Sequence, residues 1–226
     1  MIAVLDYGIG NLRSAEKALQ RVGADARLVT DPEVAARAGG VVLPGVGAFG
    51  ACAGALRRSG LDEAVREAVR CDVPLLGICV GFQLLFEGSD EDPGADGLAI
   101  WAGSVRALPA IERLPQMQWN IVLPVMGRAS RLLGFAEQPQ GGGTGGPGTG
   151  GPGTRPSWFY FVHSYAPVPE GEAAVGVVGM CDYGGPVVAA MERGSLFATQ
   201  FHPEKSGRNG LGLLSRFASL CAAGRR

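Results

Sequence analysis

Gly77-Ile78-Cys79-Val80-Gly81 has the residue types and spacing of a nucleophile elbow. The apolar run Val73-Pro74-Leu75-Leu76 precedes it and Phe82-Gln83-Leu84-Leu85-Phe86 follows, so the order reads strand, turn, helix. Glycines two residues before and after the cysteine remove Cβ atoms and let the chain turn sharply. A helix starting there would aim its positive dipole end at the sulfur and favour negative charge beside it. A cysteine nucleophile needs a proton acceptor, and the chain has two histidines, His163 and His202. The second stands in Gln200-Phe201-His202-Pro203-Glu204, where proline fixes the local φ and a carboxylate can hold the imidazole in one tautomer. Cys79, His202 and Glu204 therefore read as nucleophile, base and orienting group. Taken singly, such a cysteine is usually a small buried hydrophobe and His-Pro-Glu a turn. Their joint presence, with Gln83 one helical turn past the cysteine, favours catalysis.

Further segments could complete a site. Pro44-Gly45-Val46-Gly47-Ala48-Phe49-Gly50 follows an apolar strand, and its glycines would let backbone amides approach a ligand. With the N–H of Val80, amides from Gly45, Val46 and Gly47 suit an oxyanion hole. An ordinary glycine-rich turn is the plainer alternative. Asp6-Tyr7-Gly8-Ile9-Gly10-Asn11 resembles the start of a dinucleotide fingerprint, but Arg13 replaces the third glycine, so a nicotinamide site is disfavoured. In the aromatic run 158–165, His163-Ser164-Tyr165 ends a strand and can line a pocket. His163 is a rival base without a nearby downstream carboxylate. Gln116-Met117-Gln118-Trp119-Asn120 reads as core packing or, more sharply, as a partner contact.

The elements that must position these groups alternate in the first half. Residues 2–5, 27–29, 40–43 and 75–78 read as short buried strands, 11–22 as a helix with Leu12, Ala15, Leu19 and Val22 on one face, and 51–69 as one or two helices. That alternation implies parallel crossovers. After Phe86, strand-like runs at 100–105, 119–124, 158–165, 173–178, 187–191 and 196–200 suggest antiparallel or mixed strands. A final helix over 210–222 would bury Leu211, Leu214, Phe217 and Cys221. The expected fold is α/β: an open, mostly parallel twisted sheet with helices on both faces and additional antiparallel strands. One domain over 1–226 is expected, with a flexible Gly/Pro/Thr-rich loop insertion at 140–156.

Composition excludes several classes. The net charge of −1 is spread through 226 residues with no basic block for nucleic acid. No apolar run reaches transmembrane length, and the N-terminus lacks the form of a signal peptide. The five cysteines are scattered with no Cys-x-x-Cys pair, which argues against a metal site or a disulfide framework and fits a reducing cytoplasm.

Together these residues resemble the class I (triad) glutamine amidotransferases. Within that family the chain is similar to the glutaminase subunits of histidine biosynthesis. The resemblance rests on Asp6-Tyr7-Gly8-Ile9-Gly10-Asn11-Leu12-Arg13-Ser14, Pro44-Gly45-Val46-Gly47-Ala48-Phe49, the elbow through Leu85, Trp119-Asn120, Tyr160-Phe161-Val162-His163-Ser164-Tyr165, and Gln200 to Ser206. It implies hydrolysis of glutamine through a γ-glutamyl thioester at Cys79, with no cofactor. It also implies a substrate site at Gln83, His163, Ser164 and Tyr165. The implied partner is a (βα)8-barrel cyclase that uses the ammonia to make imidazole glycerol phosphate and an aminoimidazole carboxamide ribotide, contacted by Asn11, Trp119, Asn120, Tyr160 and Lys205. The free chain is expected to be nearly inactive, with segment 44–47 turning an N–H away from the site. Three features depart from the family pattern: Gln118 where glycine usually precedes Trp-Asn, Val80 and Phe82 around the elbow, and the Gly/Pro/Thr tract. A peptidase-like relative, a glutaminase of anthranilate or pyridoxal phosphate synthesis, and a protein with a binding role alone are the rival readings.

Overall fold

The computed structural model describes residues 1–109, 112–134 and 157–224. The expected loop insertion at 140–156 lies outside the described residues. The first half is built from β1 (Ile2–Leu5), α1 (Leu12–Arg21), β2 (Ala26–Val29), α2 (Pro32–Ala36), β3 (Val41–Gly45), α3 (Phe49–Arg58), α4 (Leu61–Arg70), β4 (Leu75–Cys79) and the single turn α5 (Val80–Gln83). Then come β5 (Gly103–Ala107), β6 (Gln116–Pro124), β7 (Ser157–His163), β8 (Tyr165–Pro169), β9 (Val177–Asp182), β10 (Pro186–Arg193), β11 (Leu196–Thr199) and α6 (Gly207–Ala223).

Nine strands form one sheet in the order β2-β1-β3-β4-β11-β10-β9-β6-β7, and β5 pairs with β8 in a separate antiparallel ribbon. The first five strands of that order run parallel. β1, β3, β4 and β11 are buried along their whole length, as strands covered on both faces must be. Reversal of strand order after β2 sends successive right-handed crossovers to opposite faces. Accordingly α1 packs with α6, while α4 packs with α2 and α3. The mostly parallel sheet with added antiparallel strands is the architecture expected from sequence. In such sheets ligands bind beyond the carboxyl ends of the strands, near the point where strand order reverses. The turns after β1, β3, β4 and β11 all lie at that end.

Several expected elements are corrected. Residues 171–176 form a 3-10 turn between Gly171 and Gly176, not a strand; Val175 faces solvent, and the strand starts only at Val177. The run 158–165 breaks at Ser164 because β7 pairs with β6 whereas β8 turns away to pair with β5. The strand expected from residue 100 begins at Gly103, and α2 has no counterpart among the expected elements. In α6, Leu213 takes the buried position assigned to Leu211. Gln118 sits in a regular antiparallel pair opposite Phe161, so glycine is not required there. Phe82 is fully buried, edge-on to Phe86 and Trp101. Among the described residues, no helix is long and apolar enough to cross a membrane.

Candidate active site

β4 carries Cys79 to the end of the sheet and holds it at φ 55° and ψ −112°. That left-handed φ costs a non-glycine residue about 1–3 kcal/mol, a sizeable part of the roughly 5–15 kcal/mol that stabilises a typical domain. The surrounding packing enforces it. A Cβ on Gly81 would stand 1.8 Å from the Leu43 carbonyl, so only glycine lets the turn after Cys79 press against β3. The helix dipole expected behind the sulfur is largely absent, because α5 is a single turn. Side chains serve instead. Gln200 directs Nε2 at the sulfur from 3.7 Å, and its Oε1 accepts from Gln83 Nε2 at 3.2 Å.

β11 lies beside β4 in parallel register, Thr199 opposite Ile78, which delivers the following His202 to the cysteine. The His202 ring donates from Nδ1 to Glu204 Oε1 at 2.8 Å; a carboxylate only accepts, so this bond fixes the tautomer and leaves Nε2 to the sulfur. Both side chains are almost sealed from solvent. Nε2 has no hydrogen-bond partner among the described residues. The ring nonetheless shares one cavity wall with the sulfur: burial alone would lower its pKa, but Cys79 and Glu204 outweigh burial and raise it to about 10. The turn itself is anchored on β7. His202 N donates to Tyr160 O (2.9 Å), Tyr160 N to Ser206 Oγ (3.0 Å), Ser206 Oγ to His202 O (2.6 Å), and Asn209 Nδ2 to Trp158 O (3.0 Å).

His163 has the opposite electrostatics. Burial, together with the charge of nearby His202, pushes its pKa down to about 4, against the pull of the Tyr165 carbonyl that its Nδ1 donates to at 2.9 Å. It is a neutral imidazole near pH 7, and its Nδ1 meets a backbone carbonyl where that of His202 meets a carboxylate.

A cavity of about 390 Å³ opens over the sulfur. Cys79, His202, Val46, Gly47, Val80, Gln83, His163, Ser164 and Tyr165 all line it, and Asn11 and Lys205 are at its wall. Gly45 is not on its wall and packs behind, against Val80 and Gly81. Gly47 has φ +88°, a conformation natural to glycine. Gln83 spends its amide N–H groups on Tyr165 O (2.9 Å) and Gln200, so its carbonyl oxygen is what remains for a ligand. The loop after β1, disfavoured as a dinucleotide site, instead braces the cavity: Tyr7 Oη donates to Pro44 O, and Asn11 reaches the wall.

Two site residues escaped the sequence reading. Gln200 lay beside the His-Pro-Glu turn, where only its distance to Cys79 reveals a role. Glu91 is the one carboxylate among the described residues lining the cavity, and the Phe49 amide at the start of α3 orients it at 2.8 Å. In sequence it sits in an acidic loop, Ser89-Asp90-Glu91-Asp92, that reads as a solvated turn.

Outside the cavity, Trp119 is 47% exposed and meets Tyr160 edge-on at 6.2 Å, with its ring beside Gly207. Met117 (64% exposed) and Trp158 (51%) extend the apolar strip along β6 and β7. Asn120 is less available than expected, because its Nδ2 is held by Asp182 O at 2.8 Å.

Residues 3–219 match the family described as glutamine amidotransferase class-I. The chain is 44% identical over 220 residues to the imidazole glycerol phosphate synthase subunit HisH of Moorella thermoacetica, covering 97% of this chain and 94% of that protein. It is 42% identical over 221 residues to the protein of the same name from Rhodopirellula baltica, covering 97% of each. Among solved structures, one described as a glutamine amidotransferase superposes with a TM-score of 0.69 at 20% identity, over 98% of each chain, a likeness of fold.

Proposed function

We infer the chemistry of the cavity from the premise that this chain belongs to the class-I glutamine amidotransferase family, among the glutaminase subunits of imidazole glycerol phosphate synthase. The chain hydrolyses glutamine to glutamate and ammonia, and the ammonia serves histidine biosynthesis. In the proposed mechanism Cys79 attacks the side-chain amide carbonyl. His202 already holds the proton drawn from the thiol and gives it to the departing ammonia, leaving a γ-glutamyl thioester. His202 then activates the water that cleaves it, while Glu204 holds the ring and balances its charge. One observation carries this assignment: the buried ring of His202, held through Nδ1 by the Glu204 carboxylate, lines the same cavity as Cys79.

Amides of Val46, Gly47 and Val80 are the proposed oxyanion donors, each worth about 3–4 kcal/mol when correctly aimed; Gly45 supports them from behind. Gln83, His163, Ser164 and Tyr165 surround the amino-acid end of the substrate. Glutamine also brings an α-ammonium group, for which Glu91 is the matching charge. Glu91→Gln should therefore raise the KM for glutamine by about ten- to a hundredfold, the reach of one charge-assisted hydrogen bond, with kcat little changed. Steady-state kinetics read this split, and a loss confined to kcat would reject it.

Free ammonia is protonated in water and loses its nucleophilicity, so direct transfer to a partner is favoured. We propose a (βα)8-barrel cyclase as that partner, seated over Asn11, Lys205, Tyr160 and the strip of Met117, Trp119 and Trp158. Exposed apolar strips of this kind support an interface. Asn120 serves it through the strand it fixes. The test mixes the chain with the cyclase of its own organism and follows glutamine-dependent formation of imidazole glycerol phosphate. Product should form, and glutaminase turnover should rise sharply over the free chain. Equal turnover with and without cyclase would remove the gating role of segment 44–47, and absence of product would remove the partner.

A further inference from the structure

Two buried donors converge on the segment after β3. Tyr7 Oη, from the turn after β1, donates to the Pro44 carbonyl at 2.5 Å, and Cys52 Sγ, from α3, donates to the Val46 carbonyl at 3.3 Å. Cys52 is fully buried and Tyr7 nearly so. The two also touch each other, each influencing the other's proton affinity, and burial keeps both protonated by raising their pKa values. Both therefore persist as donors through the working pH range.

A trans peptide is planar, with its C=O and N–H pointing opposite ways. Holding the Pro44 carbonyl thus fixes the N–H of Gly45, and holding the Val46 carbonyl fixes the N–H of Gly47. Between them lies one peptide unit, bearing the Gly45 carbonyl and the Val46 N–H. Opposed rotation about ψ of Gly45 and φ of Val46 turns that unit while its neighbours stay in place. Tyr7 stands directly on this hinge: a Cβ on Gly45 would be 3.0 Å from its Oη.

We propose that Tyr7 and Cys52 form a latch, as positioning residues that pin the peptides on either side of this unit and so confine reorientation of the oxyanion segment to the Val46 amide. The proposal rests on the glutaminase reading above and assigns work to a tyrosine and a thiol that take no part in bond making. A latch of this kind limits the error with which oxyanion donors are aimed, so its loss acts on the transition state rather than on substrate affinity.

The test is steady-state glutamine hydrolysis by the chain mixed with its cyclase. Cys52→Ala should lower kcat about three- to tenfold, the reach of one net hydrogen bond, with KM within about twofold of wild type. Cys52→Ser keeps a donor at the same position and should restore kcat. Tyr7→Phe keeps the ring that fills the site and should lower kcat in the same way, which leaves a readout even if Cys52→Ala fails to fold. Unchanged kcat in Tyr7→Phe and Cys52→Ala overturns the latch. So does a Cys52→Ser variant as impaired as Cys52→Ala, since packing alone would then explain the thiol. A wild-type chain that turns over no glutamine would overturn the glutaminase reading and the latch with it.

Discussion

Cys79→Ala should lose glutamine-dependent turnover by about 10⁴-fold or more while the assembled enzyme still makes product from added ammonium salts. The size follows from removing the atom that forms the covalent intermediate; units acting together lose most of their catalysis when the nucleophile goes. No other thiol can substitute. Cys79 is the only cysteine at the wall of the described cavity, and Cys52, although close, is sealed beneath it. Activity with ammonium separates chemistry from assembly, because ammonia supplied in bulk bypasses the glutaminase and needs only a competent partner. A glutamine-derived chloroketone should accordingly label Cys79 alone, as peptide mass spectrometry would read. Wild-type glutaminase activity in Cys79→Ala would end the proposed mechanism.

Glu204→Gln should cost about 10³–10⁴-fold in kcat with little change in KM. The amide can still accept from Nδ1, but it supplies no charge and can instead present N–H groups that favour the wrong tautomer. The same substitution has a signature in stability. Cys79 and Glu204 together raise the His202 pKa in the fold from its ordinary 6.5 to about 10, so the stability they contribute is complete below about pH 6.5 and is lost as pH rises through about 10. Wild type should therefore lose stability between pH 7 and 10, and Glu204→Gln, with less to lose, should lose less. Denaturant midpoints at the two pH values check this. A wild-type midpoint that falls no more than the variant's would contradict the charged pair.

Much of this was legible in the residues because local chemistry and global fold agree at the elbow. Glycine spacing, an apolar strand and a late His-Pro-Glu each narrow the backbone to few conformations, and β4 beside β11 joins them. Periodicity also located the parallel core, since β1, β3, β4 and β11 are apolar along nearly their whole length. It was less informative after Phe86. The apolar run 173–178 lacks a partner strand over its first half, and a tertiary fact of that kind leaves no mark on the sequence. Glu91 was hidden for the same reason: only the fold brings an acidic turn back over α3 to the cavity. The dipole behind Cys79 was overestimated because the elbow pattern does not encode how soon the helix ends. Gln200, one strand away, provides what that dipole does not.

The hydrogen bonds that tie residues 202–209 to β7 carry a consequence of their own. β7 closes one margin of the nine-stranded sheet, and an unoccupied margin invites pairing between molecules. Here His202 N, Ser206 Oγ and Asn209 Nδ2 occupy part of it. The turn that carries His202 thus covers backbone groups that would otherwise be open to another strand. The contact made at residue 202 uses a backbone N–H that any residue but proline supplies, so this covering of the edge asks for the path of the turn and for Ser206 and Asn209, not for an imidazole.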